Sequence, residues 1–128
     1  MATLLEITSE TRDGYLFLAA SGEVTQSSIL NLGTEVRQRC DSAGLEGVII
    51  DCREMCGALS VGELFTVTQQ FCRIVGPAIS VAYINRPAEW DPVDDQFSRD
   101  VAINRGGSLE VFESERQAAE WLLERNAG

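Results

Sequence analysis

Apolar residues along the chain fall into short continuous runs and into longer stretches with helical spacing. The short runs predict strands, whereas apolar residues three or four positions apart predict helices. The predicted strands cover about residues 4–8, 15–20, 48–51, 79–84 and 109–112. The predicted helices cover about residues 26–43, 61–75 and 92–105, and a last one begins at Ser114.

The order of these elements is β-β-α-β-α-β-α-β-α, which predicts an α/β fold with crossover helices and a mainly parallel sheet. Asp13-Gly14 is a turn signal between the first two strands, so a leading antiparallel hairpin makes the sheet mixed. The chain has 128 residues, 45% of them hydrophobic, enough for one core. We therefore expect a single domain over residues 1–128.

The charge balance limits the partners that this chain can have. Its formal net charge is -10, and its 10 cationic residues are all arginine. Because an acidic chain repels phosphate backbones and anionic lipids, we expect no nucleic-acid partner and no anionic membrane partner. No segment approaches the roughly 20 apolar residues of a membrane span, and the N-terminus lacks a basic start. We expect no membrane insertion and a cytoplasmic location.

Lysine and histidine are both absent from the sequence. Their absence removes Schiff-base chemistry, Ser-His and Cys-His dyads, and histidine-ligated metals. The carboxylates of residues 89–95 could bridge a divalent ion, but Asp91 before Pro92 is better explained as a helix cap. We therefore expect a non-catalytic protein that needs no metal and no cofactor.

The four cysteines are better explained by packing than by chemistry. Cys52 and Cys56 have a C-x₃-C spacing, and a zinc site would also need Cys40 and Cys72. Those two cysteines are predicted to face the core from their helices, so small buried thiols are the simpler interpretation. Cys56 is the cysteine that we expect to be exposed and reactive.

Two stretches resemble the STAS domain of sulfate transporters and anti-sigma-factor antagonists, and in particular its bacterial SpoIIAA-like branch. They are VIIDCREMCGALSVGEL (48–64) and FSRDVAINRGGSLEVFESERQAAEWL (97–122). The resemblance implies a STAS-like fold and a role in signalling. It also implies that Ser60 is phosphorylated by a partner kinase, which releases an anti-sigma partner.

Ser60 has two interpretations that remain open. Gly62 matches the glycine of the signalling motif, but Leu59 replaces its aspartate and Val61 its other serine. Alternatively, Ser60 and Glu63 form an S-x-x-E capping box, which needs no regulatory role.

The predicted binding surface lies where parallel strands end, because ligand sites of α/β folds form there. Its candidate residues follow two neighbouring strands. They are Asp51, Arg53, Met55, Cys56, Arg86 and Trp90. We predict a protein-interaction or ligand-sensing module that binds a protein partner or a small ligand, with a homodimer also possible. The alternatives are a phosphorylation-switched antagonist acting through Ser60, a carrier of a small lipophilic ligand, and an enzyme using Asp51, Cys56 or the 89–95 carboxylates.

Overall fold

A computed structural model describes residues 4–57, 59–85, 100 and 108–127. The elements within these residues are, in chain order, β1 (Glu6–Thr11), β2 (Leu16–Glu23), α1 (Gln26–Ala43), β3 (Gly47–Cys56), α2 (Val61–Val75), β4 (Ser80–Ile84), β5 (Ser108–Phe112) and α3 (Glu115–Ala127). The predicted α/β class and the order of these elements are confirmed. The predicted helix over 92–105 lies outside the described residues, except for Asp100, which is helical.

The sheet is mixed and mainly parallel, as predicted. Its described strands follow the order β1-β2-β3-β4-β5, and β1 is antiparallel to β2 whereas the remaining neighbours are parallel. The turn between β1 and β2 contains Gly14 at a φ of 93°, a conformation that favours glycine. Because strands β2 to β5 are parallel, their C-terminal ends lie at one edge of the sheet, which we call the carboxyl edge. Helices α1, α2 and α3 begin there, because each follows one of these strands.

Strand β3 is buried on both faces of the sheet. Its residues Val48, Ile50 and Cys52 belong to a core cluster that includes Leu32 of α1 and Phe71 of α2. The intervening Ile49 belongs to a second cluster on the opposite face, together with Ala118 and Leu122 of α3. This two-sided burial explains why the run 48–50 has no polar alternation.

Helices α1 and α2 pack side by side on the same face of the sheet. A Cβ added at Gly33 of α1 would lie 3.0 Å from the ring of Phe71, so glycine permits the close approach. At the far end, Arg37 donates from Nη1 to the carbonyl oxygens of Ile74 and Val75, at 3.4 and 3.3 Å. These contacts hold the end of α2 against α1.

The predicted end of the third strand at Asp51 is wrong, because β3 continues to Cys56. Strand β2 extends to Glu23 and supplies backbone partners for residues 54–56. The register shifts between Ala19 and Ser21, which pair with Asp51 and Glu54, so β3 carries one extra residue at a bulge. Arg53, Met55 and Cys56 therefore lie on a strand, whereas a strand that ends at Asp51 would have placed them after it.

In the described part of the chain, no helix is both long enough and apolar enough to span a membrane.

Candidate functional site

Asp51 is a nearly buried carboxylate at the carboxyl edge, with 6% of its surface exposed. Its Oδ1 accepts hydrogen bonds from the Arg53 backbone N–H at 3.0 Å and from Asn85 Nδ2 at 3.2 Å. Its Oδ2 accepts from Arg53 Nη2 at 3.0 Å. A carboxylate is tolerated in such a position only when it is paired and hydrogen-bonded. Asp51 therefore joins β3 to the residue that follows β4.

Asn85 is not among the site residues that the sequence predicts. It leaves β4 with a φ of 55°, a left-handed conformation that asparagine adopts more readily than most residues. A signal was present, because Asn85 is the first polar residue after a buried strand, at the same edge as Asp51. The hydrogen bond to Asp51 holds its side chain toward β3.

Ser60 is the exposed N-cap of α2, and the predicted capping box is present. Glu63 N–H donates to Ser60 Oγ at 3.3 Å, and Ser60 N–H donates to Glu63 Oε1 at 3.1 Å. Gln26 Nε2 of α1 donates to Glu63 Oε2 at 3.3 Å, which ties the starts of the two helices together. The hydrogen bonds from the Ser60 backbone, the Ser60 side chain and Gln26 lower the pKa of Glu63 below 4.5.

Two large apolar side chains are exposed beside Ser60. Val61 is 64% exposed and Phe65 is 43% exposed. They are four residues apart on α2, so they lie on the same side of the helix. We call Ser60, Val61 and Phe65 the α2-start surface. The sequence pattern indicates that Val61 and Phe65 point away from the core, since they fall outside the apolar stripe that α2 turns inward.

The other predicted site residues have different positions. Arg53 and Cys56 are exposed, and Cys56 Sγ lies 3.5 Å from the carbonyl oxygen of Gly22, to which it donates. Met55 is 3% exposed and packs in the core cluster beneath α1 and α2, so it is not on the surface. Arg86 and Trp90 lie outside the described residues.

The four cysteines form no disulfide with one another, and their exposure is unequal. Cys40 and Cys52 are buried, Cys72 is intermediate, and Cys56 is exposed as predicted. Burial, with a smaller contribution from Asp41, raises the pKa of Cys40 to about 11, so this thiol stays protonated at neutral pH. Among the described residues, no group of three or more cysteine or acidic side chains could hold a metal ion.

The fold is similar to several solved structures. An uncharacterized protein of the DUF3478 family with a SpoIIAA-like fold, from Shewanella loihica PV-4, is 22% identical with a TM-score of 0.58, over 95% of this chain and 98% of that one. An anti-sigma factor antagonist from Mycobacterium paratuberculosis is 14% identical with a TM-score of 0.57, over 92% and 93% of the two chains. The unphosphorylated anti-sigma factor antagonist SpoIIAA is 10% identical with a TM-score of 0.51, over 96% and 99%.

These similarities define the class of fold: the chain has the SpoIIAA-like α/β fold, as its sequence predicts. No protein-family model matches the sequence, and no curated protein matches it either.

Proposed function

We propose that this chain is a non-catalytic protein-interaction module that binds its partner through the α2-start surface. The observation that carries this proposal is the exposure of Val61, at 64%, one helical turn from the 43% exposed Phe65. Covering exposed apolar side chains with a partner removes them from water, which is favourable by about 25 cal/mol per Å² of apolar surface. As part of the proposal, the protein acts in the cytoplasm as one domain.

The contacts of Asp51 support a binding role over a catalytic one. Its carboxylate is bound by Arg53 and Asn85, which supports a structural role for Asp51 at the edge of the sheet. Two of the similar folds belong to anti-sigma factor antagonists, which favours a protein partner for this chain as well.

A small cavity lies between α2 and strands β4 and β5. It is lined in part by Phe71, Val81 and Leu109 and has a volume of about 10 Å³. That volume suits at most one water molecule and is far too small for a lipid chain.

The test compares matched variants of the exposed apolar residues. Val61→Ser with Phe65→Ser removes the apolar part of the α2-start surface, whereas Leu123→Ser changes a 46% exposed leucine on α3, across the sheet. Partners captured by the wild-type protein are purified, and their affinities for each variant are measured by calorimetry. We expect the double variant to bind at least about 10-fold more weakly, since a tenfold loss needs only about 1.4 kcal/mol and the variant loses the burial of two apolar side chains. Equal affinity for the double variant, or equal loss with Leu123→Ser, would contradict the proposal.

A second candidate function is a phosphorylation switch at Ser60. The observation that favours it is the exposed Ser60 hydroxyl at a helix N-terminus, where a phosphate is electrostatically favourable. Fragment mass spectrometry of protein isolated from its native cells should then find phosphate on Ser60 and on no other residue. An unmodified Ser60 under every growth condition tested would rule this function out.

A further inference from the structure

We propose that the partner of the α2-start surface is a positively charged protein segment that carries a large apolar anchor residue. This inference rests on the proposed function and adds the chemistry of the partner. It follows from two acidic side chains that lie near the start of α2, where Val61 and Phe65 are exposed.

Two exposed carboxylates lie at this part of the carboxyl edge. They are Glu23 at the end of β2 and Glu63 in the first turn of α2. We call them the acidic rim.

The acidic rim is continuous with the α2-start surface. The Val24 N–H donates to the Cys56 carbonyl at 2.8 Å, which joins the end of β2 to the end of β3. A Cβ added at Gly57, three residues before Ser60, would lie 3.8 Å from Cγ of Glu23. Glu63 bonds to Ser60 itself, and its lowered pKa keeps it charged at neutral pH. The apolar pair therefore has negative charge on the side where the strands end.

No nearby cation neutralises the acidic rim within the described residues of this edge. Arg53 is the cationic residue of β3, and its guanidinium is bound to Asp51. Strand β2 and the first turn of α2 contain no cationic residue, and the whole chain has a formal net charge of -10.

A cationic partner with an apolar anchor matches both parts of this surface. The anchor would bury Val61 and Phe65, while lysine or arginine side chains would face the acidic rim, where complementary charge speeds association and selects partners. A second copy of this chain fits poorly, because its own charge of -10 would oppose association.

The experiment selects ligands from a random peptide library displayed on phage, with the intact wild-type protein as bait. We expect the enriched peptides to have a net positive charge and at least one large apolar residue. Synthetic copies should bind about 10-fold more weakly to the Val61→Ser, Phe65→Ser variant and should bind normally to Leu123→Ser.

The charge requirement is tested separately from the apolar requirement. Glu23→Gln and Glu63→Gln remove charge, and glutamine at position 63 can still accept the bond from the Ser60 backbone. Each substitution should weaken binding by about threefold, and high salt should weaken the wild-type complex.

The outcomes distinguish this inference from the proposed function. Neutral or acidic peptides that still depend on Val61, or binding that ignores salt and the glutamine variants, would overturn the charge requirement and leave the interaction surface intact. Peptides whose binding does not depend on Val61 or Phe65 would overturn the proposed surface and this inference together.

Discussion

Replacing Asp51 tests whether this buried carboxylate stabilises the carboxyl edge through its hydrogen bonds or through its charge. In Asp51→Ala, the Arg53 backbone N–H and Asn85 Nδ2 both lose the acceptor Oδ1. In Asp51→Asn, the side-chain oxygen can keep both bonds, and only the contact from Oδ2 to the Arg53 guanidinium is lost. The two substitutions therefore separate the two contributions.

The magnitudes follow from burial. Leaving a buried donor unsatisfied costs about 1–3 kcal/mol, and water can partly satisfy the half-buried Asn85, so we expect Asp51→Ala to lose about 2 kcal/mol of unfolding free energy. The Arg53 side chain is 68% exposed, so its ion pair with Asp51 is screened and is worth less than about 1 kcal/mol. Asp51→Asn should therefore lose less than about 1 kcal/mol.

Urea denaturation followed by far-ultraviolet circular dichroism measures these differences. With a slope of about 2 kcal/mol per molar urea, Asp51→Ala should lower the midpoint by about 1 M and Asp51→Asn by less than about 0.5 M. Arg53→Ala is the matched control for the ion pair and should resemble Asp51→Asn. An Asp51→Asn variant as unstable as Asp51→Ala would refute the assignment to hydrogen bonding.

A double-mutant cycle tests the bridge between β3 and β4. Asn85→Gly removes the amide donor but tolerates the observed φ of 55°. We expect a coupling free energy of about 1 kcal/mol between Asp51→Ala and Asn85→Gly, because the two residues share one hydrogen bond. Additive effects would show that Asp51 does not hold Asn85.

Three further predictions concern the helix start and the hairpin. Ser60→Ala removes the acceptor of the Glu63 N–H and should lower the unfolding free energy by about 1 kcal/mol in thermal or urea unfolding. Ser60→Asp keeps an acceptor and should lower it less. Equal losses of unfolding free energy would contradict the capping role. Because the pKa of Glu63 is lowered in the folded protein, its ionised form stabilises the fold above pH 4.5. This stabilisation disappears as the pH falls through the lowered pKa. In urea titrations, acid should therefore destabilise the wild type more than Glu63→Gln. A parallel acid dependence of both proteins would contradict it. Burial and the hydrogen bond to Glu115 raise the pKa of Tyr15 from 10.0 to about 12. The stability of the wild type should therefore fall between these pH values more steeply than that of Tyr15→Phe. Tyrosinate absorbance that shows only normal titration would contradict this prediction.

The elements of the fold were predictable because their signals are local. The run 48–50 has apolar residues on both faces, and α2 carries an inward stripe that includes Val67, Phe71 and Val75. The extension of β3 to Cys56 was not predictable in the same way, since its backbone partners on β2 lie more than 30 residues away. The bulge shifts the alternation by one residue, so Met55 faces the core although the predicted binding surface included it.

The same distinction applies to the candidate site. The capping box of Ser60 and Glu63 spans four residues and could be predicted from the sequence. The bond between Asp51 and Asn85 joins residues 34 positions apart, and it depends on the register of β3 against β4. A pattern search could place both residues at the carboxyl edge but could not pair them.

Leu59 gives the start of α2 a structural reason for departing from the signalling motif. It stands where the resemblance implies an aspartate, and it is partly buried against the core beneath α1 and α2. Leu59 and the half-buried Leu64 occupy the N′ and N4 positions around the Ser60 cap, which are the positions of a hydrophobic staple. An aspartate at position 59 would lose this burial, whereas leucine anchors the chain as it enters the helix. The staple positions and the capping box together favour one fixed helix start, which sets where Val61 and Phe65 lie on the surface.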